Sequence, residues 1–297
     1  MPGLNEYRQN KNTISGVNPG SPSTIDLPTD RGMIKSSTFV YAEGLTPTPA
    51  NEATLIAAIE KLELLIDGQV FSEYDTADIL KLNKFYGFGF VDGMLTQHFA
   101  QYWRRSIAEA ESTALVPGAH RDPKLRAYIA GGRVNPTLDH FLQTEGIGNQ
   151  GRTLVTNRPA ASANRIVKHW SEVIDITSSG STPTRHRYDG GGQRVRAFHF
   201  EGANITAMRL EVDEQERWYY PSLDHLNIEY QNNGFTPQPD TWSIVFEGMG
   251  GTVESAFDPR FGSQPNVLDF EIFTTNETNV RLLVERYDTP PTLPNIR

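Results

Sequence analysis

Imidazole is a frequent zinc ligand and the usual general base near neutral pH, and both uses leave a spacing signature. Seven histidines are present: His98, His120, His140, His169, His186, His199 and His225. None stands in H-x-x-x-H or H-E-x-x-H spacing, and even the nearest pair, His186 and His199, is well separated. They are expected at solvent or interface positions. Gly190-Gly191-Gly192 could suggest a phosphate-cradling loop, but no Lys-Ser/Thr follows, and Arg194-Val195-Arg196 runs into a strand pattern where a helix would be needed. A flexible hairpin tip is expected there. Arg185, Arg187, Arg194 and Arg196 around it read as a solvated strand face, with acidic lipid or a neighbouring carboxylate as the alternative partner.

Asp67, Glu73, Asp75, Asp78 and Asp92 form an acidic stretch that could offer oxygen ligands to Ca²⁺ between subunits. Its spacing does not match an EF-hand loop, and turn and cap chemistry already accounts for Asp67, Asp75 and Asp78. Trp103, Trp170, Trp218 and Trp242 with Tyr219 and Tyr220 could line a sugar-binding face. Residues 218–220 lie in a strand pattern, however, so neighbours should alternate in and out. Core packing and subunit contact is the expected use. The absence of cysteine removes thiol nucleophiles, disulfides and cysteine-bound zinc. No carboxylate pair of glycosidase type is evident. The expectation is no catalytic residue, no enzyme and no cofactor, with the metal question open and structural Ca²⁺ the one candidate ion.

The elements around these residues repeat. Ile59–Leu82 reads IEKLELLIDGQVFSEYDTADILKL and Ile205–Ile228 reads ITAMRLEVDEQERWYYPSLDHLNI, sharing seven of 24 positions at a spacing of 146. Such a spacing suggests two copies of one domain. In the first copy Asp67-Gly68 is a two-residue hairpin signal; Asp213-Glu214 lacks the glycine, so a different turn is expected there. Asp75-Thr76-Ala77-Asp78 starts a short amphipathic helix that Gly87 ends. Residues 97–111 read as a strand (Leu95–Tyr102) followed by helical turns, or as a single helix. Lys124–Ala130 and Thr137–Thr144 read as strands with counterparts at Val267–Phe273 and Val280–Arg286.

The chain has 297 residues, 37% hydrophobic and 21% charged, with 25 glycines and 19 prolines. That balance suits many short strands and turns, and the length suits two domains. The net charge of −9 is shared by both halves, which argues against nucleic acid as a direct partner. No apolar run approaches the ~20 residues needed to cross a bilayer, and the N-terminus lacks the apolar core of a secretion signal. Residues 1–30 are expected to be an N-terminal arm, either disordered or ordered against a neighbouring subunit. Residues 31–146 then form the first domain, 147–163 a linker, 164–289 the second domain and 290–297 a Pro-rich tail. About eight strands, one short helix and many turns, seen twice, suggest an all-β chain of two tandem β-sandwiches.

The order from the hairpin through Ile79–Gly87 (ILKLNKFYG), then Asp92-Gly93-Met94-Leu95 to His98-Phe99, resembles the double jelly-roll major capsid proteins of corticoviruses and related membrane-containing phages. Phe198-His199-Phe200, Gly202–Ile205 and Val280–Tyr287 resemble the second barrel of that family. The resemblance covers roughly residues 30–290 and departs at residues 97–111. It implies two eight-stranded jelly rolls per chain, with short helices in the loops. It also implies homotrimers that tile as pseudo-hexamers into an icosahedral shell around an internal membrane. The implied partners are the chain itself, penton and minor capsid proteins and the membrane surface, in a virion made in the host cytoplasm. The alternatives are a two-domain carbohydrate-binding or glycan-processing protein, and a minor capsid protein or spike base.

Overall fold

The computed structural model describes residues 6–14, 17–29, 33–101, 113–146, 165–189, 193–246, 256–258 and 267–289. They form two compact units. The first holds the described residues up to Lys84 and from Phe88 to Val167, and the second holds Phe85–Gly87 and Lys168–Asp288.

In the first unit the elements are β1 (Glu6–Ile14), β2 (Pro22–Asp26), β3 (Met33–Glu43), β4 (Thr48–Pro49), α1 (Glu52–Ala58), β5 (Ile59–Ile66), β6 (Gln69–Asp75), α2 (Thr76–Phe85), β7 (Met94–His98), β8 (Lys124–Ile129) and β9 (Thr137–Gly146). One sheet runs β1-β9-β3, with β7 and the short β4 both pairing to β3; the other runs β2-β8-β5-β6. Apart from the β5–β6 hairpin and the short β4, successive strands alternate between the sheets, which is jelly-roll threading. In β8, Leu125, Ala127 and Ile129 point inward while Lys124, Arg126 and Tyr128 stay partly exposed, the period of two that a half-buried strand requires. Leu62, Leu64, Leu125 and Ala127 from one sheet meet Phe39, Tyr41, Leu138 and Leu142 from the other in one core. Burying each of the larger side chains contributes about 1.5–3 kcal/mol.

The second unit repeats this threading with β10 (Ile166–Ile174), β11 (Thr184–Tyr188), β12 (Val195–Glu201), β13 (Ile205–Val212), β14 (Gln215–Tyr220), α3 (Leu223–Asn232), β15 (Thr241–Val245), β16 (Leu268–Thr274) and β17 (Val280–Asp288). Its sheets are β10-β17-β12-β15 and β11-β16-β13-β14. The core is aromatic: Phe270 packs edge-on against Phe198 and Phe200, each at 4.8 Å between ring centres. The repeated stretch of sequence is β5, β6 and α2 in one unit and β13, β14 and α3 in the other.

Three expectations change. Residues 1–30 are not simply an arm: β1 pairs along the whole of β9 and β2 pairs with β8, so the first two strands of the first sandwich lie there. Polar composition hides them because β2 shows only two buried residues between its edge positions, Ser23 and Ile25. Second, the two hairpins turn alike. Asp67 and Gly68 have φ of 54° and 74°, and Asp213 and Glu214 have φ of 53° and 63°. Tertiary bonds hold both turns: Asp67 N donates to Arg121 O, and Asp213 N donates to Val267 O while its carboxylate accepts from Val267 N. Third, the strand expected at Leu95–Tyr102 is β7, Met94–His98; residues 102–112 lie outside the described residues, as do the linker at 147–163 and the tail at 290–297.

Glu214 thus holds a left-handed backbone that costs a non-glycine residue about 1–2 kcal/mol. Glu214→Gly is expected to stabilise the second unit by about 0.5–1 kcal/mol, and Gly68→Ala to destabilise the first by a similar amount, both read from denaturant unfolding. Gly93→Ala should cost more than either. Gly93 has φ of 75°, and a Cβ there would come within 2.7 Å of the Tyr41 carbonyl oxygen.

Candidate functional site

The four arginines bracketing the triple glycine meet carboxylates of their own chain. Arg187 grips Asp269 with two bonds, at 2.9 and 3.1 Å, and Arg185 pairs with Glu211. Arg194 bonds Asp258 at 2.9 Å, and Arg196 bonds Glu285 at 3.0 Å. Only Arg185 and Arg187 sit on an exposed strand face, as expected. Arg196 is 3% exposed. Residues 190–192 lie outside the described residues.

Glu285 is the centre of a buried polar cluster in the second unit. One oxygen accepts from Arg196; the other accepts from the Tyr86 hydroxyl at 2.5 Å and lies 2.9 Å from His199 Nε2. His199 Nδ1 in turn lies 2.8 Å from Ser243 Oγ. Pairing builds the arrangement: Ala197 of β12 stands opposite Glu285 of β17, and His199 opposite both Leu283 of β17 and Ser243 of β15. Residues 196 and 199 would face opposite ways in a regular strand. The register shift between Val195 and Ala197 lets both reach one carboxylate. Phe85 packs edge-on against His199 at 5.3 Å and stacks on Phe235 at 5.0 Å, and the Arg196 guanidinium lies 4.3 Å from the Tyr86 ring centre.

Burial alone would raise the Glu285 carboxyl, but the Arg196 charge and the His199 hydrogen bond outweigh it and bring it down to about 2. Burial lifts the Tyr86 hydroxyl well above its ordinary value, so it remains a donor. Nothing is positioned to transfer the protons onward: the cluster is closed, with all four side chains buried. It can hold strands together, and it offers no nucleophile to a substrate. Neither Tyr86 nor Glu285 stands out in the sequence. The one available signal was a lone glutamate in the apolar run of β17.

Of the remaining histidines His225 is exposed as expected, while two others leave the surface. His120 and His140 are buried, and His98 stacks on Phe88 at 4.1 Å. His186 pairs with Glu172 at 2.9 Å, His225 bonds the Ser222 cap of α3, and His169 is half-buried. The acidic stretch is dispersed. Asp67 sits in its turn 3.4 Å from Arg121, Glu73 bonds Lys61 and Asp78 is buried in the first turn of α2. Asp75 ends β6, and Asp92 lies in the exposed loop before β7. Among the described residues no group of three or more His, Asp or Glu side chains could hold a metal ion.

Of the aromatics, Trp242 is core and Trp170 packs on Tyr188. Trp103 lies outside the described residues. The in–out alternation expected for residues 218–220 is absent: β14 is an edge strand, and Trp218 and Tyr219 are 42% and 48% exposed.

Two jelly-roll units in one chain, with the eight principal strands in the same order in each, define a double jelly-roll protein. Family models agree: the viral coat protein P2 N-terminal domain matches residues 8–145 and the viral coat protein P2 C-terminal domain matches residues 166–290. The chain belongs to the viral coat protein P2 family and is a structural component of the virion, not an enzyme. The fold is similar to that of the major capsid protein P2 from bacteriophage PM2, at 15% identity and a TM-score of 0.74, covering 96% of this chain and 98% of that one. Sulfolobus Turreted Icosahedral Virus offers a second similar structure (12% identity, TM-score 0.65, 95% and 91% covered). The Faustovirus major capsid protein is a third (6%, 0.58, 97% and 90%). A search of the curated proteins by sequence finds no match.

Glu285→Gln should destabilise the second unit by about 3–5 kcal/mol, because the buried guanidinium of Arg196 loses its carboxylate. The double change Glu285→Met with Arg196→Met should restore much of that in thermal unfolding. The pH dependence follows from the lowered carboxyl. Its stabilising contribution is fully present above about 4.5, the ordinary value, and is lost as the pH falls through about 2.

Proposed function

We propose that the chain is the major capsid protein of an icosahedral virus, that it assembles as homotrimers, and that the trimers tile as pseudo-hexamers. The observation that carries this reading is that the eight principal strands follow the same order in both units' sheets, the short β4 of the first apart. Three chains with two like barrels each supply six comparable sides, so a three-fold oligomer can meet its neighbours in near-hexagonal packing. The similarity to the PM2 coat protein supports a phage of that kind, with the shell surrounding an internal membrane. No described helix is long and apolar enough to cross a membrane, so contact with lipid would be peripheral. Penton and minor capsid proteins would complete the shell, with no direct contact to nucleic acid. The net charge of −9 fits that separation from the genome.

Native mass spectrometry of the purified chain tests the trimer. The expected species has three times the 33.2 kDa chain mass. A monomer at micromolar concentration that fails to enter shells would remove the proposal. Lipid content of purified particles tests the membrane: phospholipid should co-purify in bilayer amounts, and organic solvent should disrupt the particles.

A further inference from the structure

Both units bury histidines, His120 and His140 in the first and His199 in the second, and the surroundings of His140 and His199 are opposite in kind. His199 in the second unit faces the Glu285 carboxylate at 2.9 Å and Ser243 at 2.8 Å, so a proton on its ring would meet a negative charge. His140 in the first unit is fully buried on the inner face of β9, in the row of Leu138 and Leu142. Its Nε2 lies 2.7 Å from Ser37 Oγ, and its ring packs 4.8 Å from Phe39. Its Nδ1 is buried with no hydrogen-bond partner among the described residues.

The described side chains around His140 are neutral. β3 contributes Ser37, Phe39 and Tyr41, whose hydroxyl donates to Glu43 at 2.7 Å. The opposing sheet contributes Ile25, Leu62, Leu64, Leu125 and Ala127, with Tyr74, whose hydroxyl donates to the Val167 carbonyl. Burial raises both of these tyrosines, so neither supplies a negative charge. The register partner on β1 is Asn12, and Asp139, the neighbour along β9, alternates to the other face. No ion pair joins His140 to a described carboxylate.

We propose that the first unit is the acid-labile half of the coat protein: protonation of His140 opens its sandwich under mildly acidic conditions that leave the second unit closed. A charged imidazole in this setting has no counter-ion and one hydroxyl, and the nearest remedy is water admitted between the sheets. Burial lowers the His140 ring to about 4, against 6.5 when exposed. The folded unit therefore binds fewer protons than the open one between those values, and its stability falls as pH drops from 6.5 towards 4. The opening equilibrium shifts by roughly 120-fold at pH 4 relative to neutral pH. The corresponding group in the second unit, Glu285, gives up its contribution only between about 4.5 and 2. The fold then carries a graded response to acid, with one half loosening first.

Hydrogen-exchange mass spectrometry of the full chain, stepped from pH 7 to 4 and corrected for intrinsic rates, tests this. Peptides from β3 and β9 should lose protection by roughly two decades while those from β12 and β17 keep theirs, and His140→Gln should remove most of that loss where His98→Gln, at the other histidine of this unit that burial lowers to about 4, leaves most of it. Simultaneous loss in both units, earlier loss in β12 and β17, or an unchanged profile in His140→Gln would overturn the proposal. If His140→Gln fails to fold, the native exchange profile and the NMR titration of His140 decide. A ring titrating near 6.5 in the folded chain would also overturn it.

Discussion

A strand with one face against a partner sheet and the other towards water tolerates only one register, because a slip of one residue turns every core side chain outward. Both units depend on this constraint. In the first, Leu64 on β5 and Leu125 on β8 stand opposite each other and point into the core, while one step away Glu63, itself covered, pairs with the partly exposed Arg126 on the opposite face. In the second, Leu210 on β13 stands opposite Phe270 on β16, and Arg209 opposite Glu271 does the outer pairing. Apolar burial supplies most of the free energy, and the outer charges penalise the wrong register.

The outer charge pattern also shows how the copies have diverged. At the centre of the first outer face an acid, Glu63, sits between the bases Arg126 and Lys61. At the equivalent place in the second, a base, Arg209, sits between the acids Glu271 and Glu216. The signs are exchanged while the pairing is retained. Cross-strand attraction needs only opposite charge at the facing positions, so each copy could invert both signs together without losing the ladder. A surface that complements one face is poorly matched to the other, which lets similar barrels take different neighbours.

Buried polar groups carry the second difference. The first unit leaves His140 among apolar side chains and a serine, and the second surrounds Glu285 with Arg196, His199 and Tyr86. A buried ion pair adds little net stability over an apolar core, but removing one member is costly, so such a cluster fixes a local arrangement more than it strengthens it. Here it ties β12 to β17 and holds Tyr86.

Much of the architecture was legible from local chemistry. The β5–β6 hairpin and the helix from Thr76 to Phe85 follow from alternation, Asp-Gly and an acidic helix start, and the echo at Ile205–Ile228 marked the second copy. These signals survive because each depends on neighbours within a few residues. β1 and β2 were not legible, since strands paired to β9 and β8 from about a hundred residues away or more need no strong pattern of their own. The turn at Asp213-Glu214 was misread for the same reason: bonds to Val267 hold a conformation that local preference disfavours. Sequence by itself determined the duplication and the all-β class. Tertiary structure alone decided which charges are buried and what they face. Burial and partnership are set by strands distant in sequence, and the same histidine or arginine is a solvated charge or a buried one according to the sheet that folds over it.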